Sequence, residues 1–139
     1  MKIVVSACLL GENCKYNGGN NLSEAVVIYV KGHEVIELCP EMLAGLGCPR
    51  PPVELVNGII MTKEGINLDD KFHEGVRLAM ERIEAKEVDL AILQSRSPTC
   101  GVKQIYDGSF SGNLIKGQGI FAKALIAQGI KTIDSEDIS

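Results

Sequence analysis

The sequence predicts an α/β fold, a three-layer Rossmann-like domain with a mostly parallel sheet and a small β-hairpin insertion. Three observations carry this. Short β-branched apolar runs recur at residues 3–7, 35–38, 89–93 and 130–133. Helical stretches separate them, which is the pattern of parallel strands joined by crossover helices. The third is Asn57-Gly58, a strong hairpin signal set between two apolar runs.

The elements follow in order. Residues 3–7 are short, apolar and unbroken by charge, as expected of a strand buried on both faces. Residues 11–21 are rich in Gly and Asn and form a loop, with turn signals at Asn17-Gly18-Gly19. Ser23 is placed to cap a helix that runs to about Lys31 and ends at Gly32. Residues 35–38 form the second strand. Pro40, Pro49, Pro51 and Pro52 then exclude regular structure from much of the next stretch, leaving room for one short helical turn between Glu41 and Leu46. Residues 53–56 and 59–62 flank the hairpin turn.

Asp69 or Asp70 is expected to cap the clearest helix. Its Phe72, Val76, Ala79, Met80 and Ile83 fall on one face at spacings of three and four. Residues 89–93 form the third core strand. Residues 95–119 are loop-rich. A helix from Ile120 to Gln128 closes at Gly129, and the last strand follows. No repeat, linker or low-complexity tract divides the chain, so residues 1–139 are read as one domain.

Composition narrows the function. At 139 residues a single core buries roughly two-thirds of the surface of the unfolded chain, so no metal is needed merely to fold. The net charge is −4 and the 14 Lys and Arg are scattered, which disfavours bulk nucleic-acid binding. The N-terminus reads as a strand rather than a signal peptide, and no apolar run approaches the ~18 residues of a membrane span. A cytoplasmic protein with no membrane partner is expected. Five cysteines, an odd number, then favour thiols or metal ligands over disulfides.

The position of the cysteines is informative. Cys8 follows the first strand, Cys39 the second, and Ser97 and Cys100 the third. Ligands of open parallel sheets bind at the carboxyl ends of the strands, so three cysteines distant in sequence are expected along one sheet edge. Their surroundings are polar. Cys39-Pro40-Glu41 puts a carboxylate beside one thiol, and residues 95–101 put hydroxyls, a cation and a glycine around another. Structural zinc usually takes four ligands, often as close pairs such as C-x-x-C, and no such pair exists here. Three separated thiolates suit a cubane cluster with one iron lacking a protein ligand. Zinc and metal-free thiols stay open on the residues alone.

A resemblance selects among these. Ser6-Ala7-Cys8-Leu9-Leu10-Gly11 with Cys14-Lys15-Tyr16-Asn17-Gly18 resembles the opening of a bacterial and archaeal domain-of-unknown-function family that includes the 2-thiouracil desulfidases. Cys39-Pro40-Glu41 with Pro49-Arg50-Pro51-Pro52 is similar to its second block. Ser97-Pro98-Thr99-Cys100-Gly101 with Ile105-Tyr106-Asp107-Gly108 is similar to its third. The chain departs from the usual pattern at Lys15, Asn17 and Ala44, where arginine, aspartate and glycine are common. The resemblance implies a 4Fe–4S cluster on Cys8, Cys39 and Cys100. It also implies a small-molecule thiolated base as substrate, with sulfide released and no net redox change. A desulfidase of this kind needs a general base and a hydrogen-bond donor, and Glu41 and Ser97 are expected to supply them. Arg50, Tyr106 and Asp107 are expected to bind substrate.

The remaining motifs are read more plainly. Cys14, six residues after Cys8, is the main competitor as a ligand, whereas Cys48 is read as filler. His33 and His73 are read as ordinary surface or core residues. Gly117-x-Gly119 precedes a helix, where backbone N–H groups can bind phosphate, but it also suits a simple loop-to-helix turn. A non-catalytic iron–sulfur or sulfur-carrier protein, and a zinc or free-thiol module, are the alternative functions.

Overall fold

The computed structural model describes residues 1–84 and 87–138. At its centre lies β1 (Lys2–Ser6), an apolar strand flanked on both sides. Its neighbours are β2 (Glu34–Leu38) and β5 (Leu90–Leu93), and β8 (Thr132–Asp134) pairs with β5. The order is β2-β1-β5-β8 and every pairing is parallel, with Val4 opposite both Ile36 and Ala91.

Alternation along β1 feeds two cores, because successive side chains point to opposite faces. Val4 packs with α3 (Asp69–Glu84) and α4 (Ile120–Ala127) through Val76, Ala79, Phe121 and Leu125. Ile3 and Val5 pack on the opposite face with Val26 and Val30 of α1 (Glu24–Val30). Helices therefore cover both faces, the three layers expected from the alternating pattern.

Local chemistry sets the boundaries. The Ser23 hydroxyl accepts the N–H of Val26 at 3.3 Å and starts α1. Asn57 and Gly58 both adopt positive φ, 52° and 81°, and join β3 (Val53–Val56) to β4 (Ile59–Thr62). Both central residues of a type I′ hairpin need such angles.

Three expectations are revised. Neither Asp69 nor Asp70 caps α3, since both lie inside it. The Asn67 side chain accepts the Asp69 N–H, and the Asp69 carboxylate instead accepts the Ile60 N–H of β4 at 3.0 Å. The loop-rich stretch contains a second hairpin, β6 (Gln104–Tyr106) and β7 (Leu114–Lys116). The last strand is 132–134 rather than 130–133, because the Ile130 N–H turns back to the Leu125 carbonyl and its side chain packs on the α3–α4 core.

Candidate metal centre

The sheet delivers the cysteine loops to one place. Residues 7–10, just after β1, wind into a 3₁₀ turn that carries Cys8 and ends at Gly11 with φ 96°. Cys39 is the extended residue before α2 (Pro40–Leu43), and Pro40 at the first helical position suits that start. Cys100 closes the turn after β5, where the Ser97 hydroxyl oxygen accepts the N–H groups of Thr99 and Cys100 at 3.0 and 3.1 Å.

Two glycines fix these loops by close approach. A Cβ at Gly75 of α3 would run into the Pro40 carbonyl, so α3 must be bare there for α2 to settle. A Cβ at Gly119 would run into the Thr99 carbonyl. The N–H groups of Ile120 and Phe121 at the start of α4 donate to the carbonyls of Pro98 and Thr99 at 2.9 and 2.8 Å. Gly117-x-Gly119 thus serves the cysteine loop, and its helix start is not free to bind phosphate.

The loops enclose a cleft of about 520 Å³. Cys8, Cys39 and Cys100 all line it, as do Glu41, Ser97, Arg50 and Tyr106. The Cys39 thiol donates to Glu41 Oε2 at 3.4 Å. Asp107 lies outside the lining. Its carboxylate accepts the N–H and hydroxyl of Ser109, and these bonds hold it below the usual carboxylate range while closing a turn behind Tyr106. Arg50 reaches the cleft, but two of its nitrogens donate to the carbonyls of Gly47 and Cys14, at 2.7 and 3.0 Å. These two bonds brace the cleft wall.

Cys14 is buried and lines the same cleft, and its carbonyl accepts the Cys39 thiol at 3.9 Å. Its nearness to Cys39 and Cys8 and its burial hold its own proton on far above the ordinary thiol range. The adjacent Cys14 draws Cys8 down to about 7, helped by the Asn21 amide. Cys100 is pushed well up by burial and by the Glu41 charge, against a hydrogen bond with Ser6. Cys48 lies outside the cleft and donates to the Asn13 carbonyl at 3.0 Å.

Other lining residues are less clearly marked in the sequence. Glu54 is buried in β3, where its Oε1 accepts the N–H groups of Gly108 and Phe110 at 3.0 and 3.1 Å. A lone charge in the otherwise apolar run Val-Glu-Leu-Val was the available signal. Asn21 and Gln94 also line the cleft, and nothing in their sequence neighbourhood marked them.

Several thiols on separate loops around one cleft fit an iron–sulfur cluster, whose usual ligands are thiolates. Among the described residues no three His, Cys, Asp or Glu side chains are arranged to hold a single metal ion. All five cysteines are free, and no described helix is long and apolar enough to cross a membrane.

Comparison with known proteins agrees with this geometry. The chain is similar to protein YbbK of Bacillus subtilis (strain 168), itself uncharacterised, with 32% identity over 147 residues, 99% of this chain and 97% of that one. It superposes on the solved structure of TudS, a 4Fe-4S-dependent thiouracil desulfidase, with a TM-score of 0.91 and 32% identity. The match covers 99% of this chain and 92% of that one. A family profile described as 2-thiouracil desulfurase matches residues 3–137. The chain belongs to the 2-thiouracil desulfurase family.

Proposed function

We propose that the chain is an iron–sulfur-dependent desulfidase of a thiolated pyrimidine or a related small thioamide. The observation that carries this is the meeting of Cys8, Cys39, Cys100 and Glu41 on one cleft at the carboxyl end of the sheet. Membership of the family and likeness to TudS, a 4Fe-4S-dependent thiouracil desulfidase, support the same reading. Cys8, Cys39 and Cys100 would hold a 4Fe–4S cluster and leave one iron open. When bound, that centre supplies a soft Lewis acid for a thiocarbonyl sulfur.

The chain's own groups do the rest. In the net reaction, water and a thiocarbonyl give a carbonyl and hydrogen sulfide, so no electron donor or acceptor is needed. The Glu41 carboxylate accepts the Cys39 proton in the thiol form. Once Cys39 is a metal-bound thiolate, that carboxylate is free to take a proton from the attacking water. Two backbone N–H groups fix the Ser97 oxygen, which leaves its O–H as a donor to substrate or departing sulfur. Tyr106 contributes a wall against which a planar base can pack. Asp107 shapes the turn behind that wall, and Arg50 steadies the Cys14 segment. Free thiols throughout suit a reducing compartment such as the cytoplasm.

Anaerobic purification and sulfide assay test the proposal. The expected protein is brown, with roughly four iron and four acid-labile sulfide per chain, and it releases sulfide from 2-thiouracil. Glu41→Gln should abolish release while leaving the cluster absorbance intact. A loaded protein with no turnover would be an iron–sulfur or sulfur-carrier protein instead. Colourless anaerobic protein that rebuilds no cluster would leave only a zinc or free-thiol module.

A further inference from the structure

Asn21 is joined to Cys8 twice. Its backbone N–H donates to the Cys8 carbonyl at 3.0 Å, and its side-chain amide nitrogen donates to the Cys8 sulfur at 3.7 Å. The side chain is half-buried and forms part of the wall between the cysteine cleft and a second, polar groove, lined among others by Ser23, Gln94 and Glu136. The backbone bond already holds the loop against the 3₁₀ turn. The amide is therefore not needed to close the loop, and its donor is aimed at sulfur.

We propose that Asn21 is a positioning residue that donates an N–H to the Cys8 sulfur and so tunes the electron density of the iron–sulfur centre. This rests on the cluster reading given above. Hydrogen bonds to ligand sulfurs are among the levers that set the potential of such centres. An N–H donor withdraws electron density from the thiolate and favours the reduced, more negative cluster. It also leaves the irons more electron-poor, and so better suited to draw on a thiocarbonyl sulfur.

The neighbouring residue separates this role from loop packing. The Asn20 side chain accepts the Leu22 N–H and donates to Asn13, bonds that stay within the loop and do not touch sulfur. Asn20→Ala loosens the loop and spares the donor. Asn21→Leu removes the donor while keeping the branched shape of the side chain and spares the backbone bond.

The test is a spectroelectrochemical titration of anaerobically loaded wild type, N21L and N20A, with iron and sulfide counted in each. The expected result is wild-type loading in all three, a more negative midpoint potential in N21L, and no shift in N20A. If N21L loads poorly, Asn21→Ala supplies the same comparison with less bulk. An unshifted N21L, or an equal shift in N20A, overturns the inference while leaving the cluster reading intact. A wild type that holds no cluster overturns both.

Discussion

At the scale of single residues, four thiols share a cleft and the proposed ligand set is three of them. Cys14 differs from Cys8, Cys39 and Cys100 in its place in the fold. The other three lie on loops that leave strands of the parallel sheet, whereas Cys14 lies in the Gly/Asn-rich loop, where its nearness to Cys39 and Cys8 and its burial keep its proton on. Replacing Cys8, Cys39 or Cys100 singly by Ser is therefore expected to remove most of the iron after anaerobic loading. Cys14→Ser keeps an O–H donor in place and should retain it, as should Cys48→Ser, which alters a bond outside the cleft. Iron analysis of the five variants decides the set, and retention in Cys39→Ser with loss in Cys14→Ser would exchange their roles. The sequence could place Cys8, Cys39 and Cys100 because each follows a strand that periodicity reveals. It could not place Cys14, because the path of an irregular Gly/Asn-rich loop is set by turn geometry and tertiary contacts. The bond from the Arg50 backbone N–H to the Tyr16 carbonyl, at 2.6 Å, is one such contact.

At the scale of elements, the site depends on how closely α2 can approach α3. Pro40 is buried under α3, and Gly75 is the position that admits its carbonyl. Alanine is favoured over glycine inside a helix by about 1 kcal/mol. A Cβ forced against backbone costs about 1–3 kcal/mol or more, so Gly75→Ala is expected to be a net loss. Because α2 starts directly after Cys39 and carries Glu41, the displacement falls on a proposed ligand and on Glu41 together. Urea denaturation should give a lower midpoint, and the folded variant should bind less iron than wild type. A variant as stable as wild type with full iron would show that α2 can shift without disturbing the centre. The parallel core was legible because buried strands write themselves as apolar β-branched runs. The second hairpin was not, since two three-residue strands are lost among Gly, Ser and Lys. The start of α3 was misread for a related reason. Asp69 and Asp70 have the chemistry of a cap, but the Ile60 N–H, which only the fold brings near, claims the Asp69 carboxylate.

At the scale of the whole molecule, the C-terminal turn closes the sheet edge and shapes stability against pH. After β8 a 3₁₀ turn (Ser135–Asp137) is held to the cysteine loop region by Arg96–Glu136 and Lys103–Asp137, both at 2.9 Å. Both pairs are exposed, so they direct the turn more than they stabilise it. Asp134 is different. It is 1% exposed, and its carboxylate accepts the Glu136 N–H at 2.8 Å. Burial raises its pKa above the ordinary carboxylate value, and the charges of Glu136 and Asp137 add to this against the N–H bond and Lys103. A carboxyl whose folded pKa lies above its unfolded one binds protons more readily in the folded state. Its ionisation therefore costs stability at neutral pH, and the cost disappears as pH falls below the unfolded value of about 4. Asparagine keeps the acceptor for the Glu136 N–H and cannot ionise. Asp134→Asn is thus expected to raise the Tm of the cluster-free protein at pH 7 to 8, with the gain shrinking steadily toward pH 4. Thermal scans across that range test the sign. A gain independent of pH would assign the effect to packing, and a loss at neutral pH would mean that the Lys103 attraction outweighs the burial of the charge.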